Sequence, residues 1–213
     1  MDADGADRLI DHAAFDAVAL VREPFPFLVV PGFVPAAAAT DAAAHFPGPD
    51  LPGVLPAPAH PNDDAFGRLL GALRSPETTR MFADKFGLAL DPATLMVTLR
   101  ARTRPVDGAI HTDSATKVVT ALVYLNGDWS DSGGRLRLLR GPDDIDDMID
   151  EVPPLAGTLI AFRRTENSWH GHKPFDGVRQ AIMLNWMTDA ATARRELRRH
   201  ALSAGVKRLF AAS

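Results

Sequence analysis

Residues 117–126 read KVVTALVYLN, and the fold turns on how that run is read. Side chains branched at Cβ are stiff at χ1 and suit a packed, pleated strand better than a helix. The same texture recurs at LMVTLRAR (95–102), RLRLLR (135–140), GTLIAF (157–162) and RQAIMLNWM (179–187), each bounded by Gly, Asp, Asn or Pro. Asp131-Ser132-Gly133-Gly134 reads as a turn between two of these runs. No long helical pattern separates them, so the reading is an antiparallel sandwich or barrel, not a parallel sheet.

The first half of the chain is rich in alanine and proline. Helices are expected over 6–20, 35–45, 63–74 and 76–87, with a short strand at 26–30. Ser75-Pro76-Glu77 announces the fourth helix with an N-cap and a proline at the first position. Residues 47–61 carry six prolines and are neither regular helix nor central strand; a surface connection and a flap over a pocket both fit. A last helix is expected near 190–210, with Arg194, Arg195, Arg198, Arg199 and Lys207 on a solvated or docking face. The fold class is therefore α+β, mainly β with helical support. The 213 residues read as a single domain: a mostly helical layer over 1–90, a β core over 91–189 and a helix over 190–213.

Net charge is −4, which speaks against nucleic acid as a partner. There is no cysteine, so thiol catalysis, disulfides and cysteine-ligated metals are excluded, and His, Asp and Glu are left as metal ligands. An acidic beginning and the lack of a long apolar run point to a cytoplasmic protein without a membrane span. Six acids in DDIDDMIDE, 143–151, lack the calcium-loop pattern and read as a solvated loop or turn.

Nucleophile elbows and phosphate-binding glycine loops are absent, which leaves the seven histidines. One begins an His-x-Asp, His111-Thr112-Asp113, in the strand-rich half. Alternation on a strand would put His111 and Asp113 on one face. A histidine from a distant run, offered by WHGH at 169–172, would complete a two-His-one-carboxylate triad, which suits ferrous iron. Otherwise His111 caps a strand and His170 is a surface group. Arg179 opens the last strand run with no obvious acid for its planar fork, and a cosubstrate carboxylate would serve. Tyr124, the only tyrosine, would donate to the same group or simply fill the core.

In order, HTD (111–113), TALVYLNGDW (120–129), GGRLRL (133–138), GTLIAF with Phe162 eight residues before His170, then Pro174 and Arg179, resemble the Fe(II)- and 2-oxoglutarate-dependent oxygenases of the prolyl-hydroxylase-like branch. The resemblance spans about 90 residues, from Leu99 to Trp186. It implies a double-stranded β-helix, or jelly-roll, with Fe(II) on His111, Asp113 and His170. It also implies 2-oxoglutarate with its far carboxylate on Arg179 and Tyr124, O2 as oxidant, ascorbate as reductant, and a C–H hydroxylated with release of succinate and CO2. The family's spacing selects His170, not His172, as the ligand; His172 is left at the substrate side or in solvent. Asp113, where halogenating relatives lack a carboxylate, argues for hydroxylation. The segment before HTD departs from the hypoxia-factor hydroxylases: it reads LRARTRPVDG, with Arg100, Arg102 and Arg104 expected on one face, and Asn185 faces inward. That favours a polar or anionic substrate, a saccharide or a lipid-linked molecule, over peptidyl proline, unless the arginines are solvated. A protein side chain, a non-catalytic sensing jelly-roll and another metal enzyme on the same scaffold are the competing readings.

Overall fold

The computed structural model describes residues 9–48 and 53–211. The beginning of the helix expected at 6–20, residues 49–52 of the proline-rich segment and the Lys207 side chain lie outside the described part. Four helices precede the β core: α1 (His12–Ala17), α2 (Ala36–Ala44), α3 (Ala65–Leu73) and α4 (Pro76–Phe86). The strands are β1 (Phe27–Val30), β2 (Val54–Pro56), β3 (Leu95–Thr103), β4 (Lys117–Tyr124), β5 (Leu136–Leu139), β6 (Met148–Val152), β7 (Leu159–Arg163), β8 (His170–Gly171) and β9 (Gly177–Met187). Helix α5 (Ala190–Ala211) follows.

Strand pairing is antiparallel in both sheets: a six-stranded one ordered β1-β7-β4-β9-β3-β2 and a three-stranded one ordered β6-β5-β8. Alternation explains why the strand runs are apolar almost throughout. On one face of the large sheet Val97, Leu99, Val119, Ala121, Val123, Ile182, Leu184 and Trp186 pack with Phe15, Phe33, Leu69, Leu73 and Phe82 of the helical half. On the other, Leu122, Tyr124, Ile160, Phe162 and Ala181 meet Leu136, Leu138 and Val152 of the small sheet. A sheet buried on both faces has no solvent face for polar residues. The two facing sheets form the jelly-roll.

Two expectations are corrected and one is narrowed. Helix α1 stops at Ala17 because Val21 is drawn into a bridge with Phe27, each N–H reaching the other's carbonyl at 2.9 Å; it starts at His12, with Asp11 Oδ1 accepting from Ala14 N. The proline-rich segment holds β2, an edge strand, which is the place a sheet tolerates Pro56. The acidic stretch is a solvated turn only over 143–147; its second half is β6. Glu151 there accepts from Arg137 Nε at 2.6 Å, and Asp146 pairs with Arg137 and, at 2.7 Å, with Lys173.

Candidate metal and cosubstrate site

His111, Thr112 and Asp113 lie between β3 and β4, off any regular strand, so pleat alternation is not what aligns them. A backbone bridge does it instead: His111 and His170 exchange N–H···O bonds of 3.0 Å in both directions. Arg164, just past β7, donates from Nε to the Asp113 carbonyl at 3.1 Å and pins the other end of the triplet. As a result His111, Asp113 and His170 each offer a ligand atom, all within 4.8 Å of one another.

The hydrogen bonds around these three suit a metal. His111 Nδ1 lies 2.8 Å from Ala109 O, and His170 Nδ1 lies 3.0 Å from Ser168 O. A carbonyl only accepts, so each Nδ1 carries the proton and each Nε2 keeps its lone pair for a ligand bond. Burial lowers the His170 pKa to about 4, against the opposing pull of Asp113, and the ring is neutral near pH 7. Phe162 packs against it with ring centroids 4.6 Å apart. Asp113 is 8% exposed. Burial alone would raise its pKa. The Lys117 ammonium, His170 and hydrogen bonds from Lys117 and Thr120 outweigh that, and the carboxyl is held below its ordinary range. Lys117 Nζ sits 2.6 Å from Oδ1 and Thr120 Oγ1 2.5 Å from Oδ2. Neither partner was anticipated from the sequence. The available signal was local: Lys117 stands four residues after Asp113 at the head of an apolar run.

All three line a cavity of about 330 Å³ whose wall is the inner face of β3, β9 and β4. Register orders that wall in rows: Met96, Asn185 and Thr120 at the metal end; Thr98, Met183 and Leu122 in the middle; Arg100, Ala181 and Tyr124 at the far end. At the far end Arg179 is 2% exposed. It donates from Nε to Gly134 O at 2.6 Å and from NH2 to Tyr124 Oη at 3.0 Å. Gly134 has φ +70, and a Cβ there would meet Trp129 at 2.8 Å; glycine lets this carbonyl reach the guanidinium. Among the described residues no carboxylate pairs with Arg179; Asp176, the nearest acid in sequence, binds Arg102 at 3.0 Å. Burial raises the Tyr124 pKa, Arg179 opposing, so the phenol stays a donor.

His172 is 7% exposed and lines the same cavity, which replaces the reading of a solvated histidine. Burial, and then the Arg179 charge, lower its pKa to about 4. Asn185 faces inward, 3.1 Å from Thr120 Oγ1; that hydroxyl has one proton and gives it to the shorter contact, Asp113. Trp186 turns to the helical side, its Nε1 donating to Thr79 Oγ1 at 3.2 Å. The expectation of three arginines on one face fails at a bulge between Arg100 and Arg102. Arg100 lines the cavity, whereas Arg102 and Arg104 pair at the surface with Asp176 and Asp107. Helix α5 also reaches the cavity through Glu196, Arg199 and His200, so its basic face is not wholly solvated.

The fold and the strand-rich half of the chain have known counterparts. Residues 102–188 match the model of the 2OG-Fe(II) oxygenase superfamily. Among curated proteins none matches. The fold resembles a prolyl-4-hydroxylase from Pseudomonas putida (TM-score 0.59, 21% identity, covering 83% of this chain and 91% of that one). It also resembles a prolyl 4-hydroxylase from Phytophthora capsici (TM-score 0.55, 19% identity, 83% and 62%). A viral collagen prolyl hydroxylase from Paramecium Bursaria Chlorella virus-1, solved as a 2OG complex, is similar too (TM-score 0.51, 16% identity, 75% and 93%). At these identities the likeness speaks for the fold. No helix among the described residues is long and apolar enough to cross a membrane. Residues 102–188 thus match a superfamily whose chemistry uses Fe(II), 2-oxoglutarate and O2.

Proposed function

We propose that this dioxygenase holds Fe(II) on His111, Asp113 and His170, binds 2-oxoglutarate with its far carboxylate on Arg179 and Tyr124, and hydroxylates a C–H bond of a polar or anionic substrate. A saccharide or lipid-linked small molecule is favoured over peptidyl proline, and a cytoplasmic location is part of the reading. The observation that carries it is Arg179, buried at the end of the cavity away from the His-Asp-His cluster and held by a phenol and a carbonyl, with no acid against it among the described residues. A buried guanidinium without a counter-charge is costly. A cosubstrate that brings a carboxylate supplies the missing partner.

Each residue then has a task. The backbone bridge and the Nδ1 bonds fix both imidazoles with Nε2 toward one point. Thr120 and Lys117 hold the Asp113 carboxylate ionised and oriented. Leu122 and Met183 give the middle of the cavity apolar walls. Bound iron would supply the oxygen activation, coupled to conversion of 2-oxoglutarate to succinate and CO2. The metal end opens past Lys117, Glu196, Arg199 and His200, an ionic rim that suits a charged or hydroxyl-rich substrate. Prolyl hydroxylation is the second reading, and its support is that the fold relatives are prolyl hydroxylases.

The test loads the protein with Fe(II), 2-oxoglutarate and ascorbate and measures succinate against panels of sugars, lipid-linked compounds and proline peptides, with Asp113→Ala as control. Succinate dependent on one class of substrate and absent in the variant is the expected result. No succinate with any panel, together with no binding of 2-oxoglutarate, rejects the reading.

A further inference from the structure

Two arginines, not one, close the far end of the cavity. Arg100 on β3, Ala181 on β9 and Tyr124 on β4 are lateral neighbours in the sheet register, and Arg100 lines the cavity with Arg179. Between Arg100 and Tyr124, the partner of Arg179, stands the small Ala181, which leaves the space above it open to long side chains. Arg179 has committed Nε and one N–H of NH2, leaving three of its five N–H donors. The Arg100 side chain is 21% exposed and its ion pair with Asp107 is long, 3.5 Å from NH1 to Oδ2. Asp107 is not free to serve it better. Its Oδ2 accepts from Arg104 N at 2.9 Å and its Oδ1 from Arg104 NH2 at 3.3 Å. The two cavity cations also feel each other: burial lowers the Arg100 pKa, Asp107 opposes it, and the Arg179 charge adds to the lowering.

Like charges held together in a half-buried space call for an anion between them. His172, the third group there, is not a donor toward it. Its Nδ1 lies 2.9 Å from Lys173 O and carries the proton, so the neutral ring presents only a lone pair at Nε2. A carboxylate has two oxygens and about four acceptor sites, enough for two guanidiniums and a phenol.

We propose that Arg100 is a second cationic ligand for the distal carboxylate of the cosubstrate, completing a receptor made of Arg100, Arg179 and Tyr124. This rests on the reading of the cavity as a 2-oxoglutarate site. It assigns Arg100 to the cosubstrate and not to the substrate, whose ionic contacts then come from the rim beyond the metal.

The test is calorimetric titration of the Mn(II)-loaded full chain with 2-oxoglutarate and with 2-oxovalerate, which has the same 2-oxo acid head and a methyl group where the distal carboxylate stands. Arg100→Met is expected to weaken 2-oxoglutarate roughly 10- to 100-fold, the loss of a charge-assisted contact, while leaving 2-oxovalerate and Mn(II) affinity unchanged. Arg100→Lys recovers most of the loss. Unchanged 2-oxoglutarate affinity in Arg100→Met overturns the proposal, and so does an equal loss for both 2-oxo acids, which marks a merely structural role. If the wild-type protein binds Mn(II) but no 2-oxoglutarate, the functional reading itself fails and the proposal with it.

Discussion

At the residue scale the site depends on groups that neither bind metal nor face solvent. Gly108 has φ +93, and a Cβ there would lie 2.4 Å from two atoms of the His172 ring. Gly108→Ala therefore combines backbone strain with a clash, and about 1–3 kcal/mol of stability is expected to be lost. Thermal unfolding checks it, and His172→Ala supplies the control: the double variant should be more stable than the sum of the single losses, because the clash is gone. Simple additivity would show that the ring is not what Gly108 accommodates. Thr120→Val keeps the shape but removes the 2.5 Å hydrogen bond to Asp113 Oδ2. Metal affinity is expected to fall about 10-fold, the usual effect of losing a partner that orients a ligand, measured by Mn(II) titration; unchanged affinity would mean that Lys117 alone orients the carboxylate. His111, Asp113, His170 and Arg179 are offered by the sequence because they stand in an ordered series that resembles the oxygenase family. Thr120 and Lys117 are not: a threonine and a lysine in an apolar strand look like ordinary strand residues until the carboxylate they hold has a position.

At the scale of elements, legibility followed the periodicity of burial. Strands β3, β4, β7 and β9 were readable as apolar runs because both faces of their sheet are covered. Strand β6 was hidden by its charges, since its Glu151 is answered by Arg137 of β5 and by Arg135 just before that strand. Arg137 is 7% exposed, and Glu151 is its partner at 2.6 Å. Glu151→Gln should thus cost about 2 kcal/mol, the worth of a charged hydrogen bond to a buried group, with Asp146 retaining part of the neutralisation. Asp147, by contrast, pairs with Arg140 where both side chains are at least half exposed. Asp147→Asn should change stability by less than about 0.5 kcal/mol. Urea unfolding of the two variants distinguishes a strand-to-strand bond from surface decoration; equal effects would contradict the structural role given to β6. The structure brings the HTD triplet and His170 together, but not by the expected route. Strand alternation would explain it, whereas the structure uses a backbone bridge from His111, outside any regular strand, to His170 of β8.

At the scale of the whole molecule, the helical half and the cavity share one sheet, with β3, β4 and β9 each turning one face to either side. Along β9, Asn185 and Met187 face the cavity while Trp186, fully buried, faces the helices, 4.7 Å from Phe82 by ring centroids. Trp186 belongs to an aromatic cluster that includes Phe15, Phe33 and Phe82, and its Nε1 is bound to Thr79 of α4. Trp186→Ala removes a large core side chain and should cost about 3–5 kcal/mol. Trp186→Phe keeps an aromatic ring, so it should lose less and still fold. The metal site sits on the opposite side of the sheet and is held by its own bonds. Stability and metal binding should accordingly separate. In wild type, Mn(II) at 100-fold excess over its dissociation constant contributes about 2.7 kcal/mol to stability, a rise in Tm of roughly 5–10 °C for a chain of this size. Trp186→Phe should lower the metal-free Tm and keep that rise, whereas Asp113→Ala should lose the rise. Calorimetry with and without Mn(II) reads both. A Trp186→Phe protein that folds but shows no Mn(II)-dependent rise would mean that the helical layer sets the ligand geometry through β9, and that the two sides of the sheet are one cooperative device.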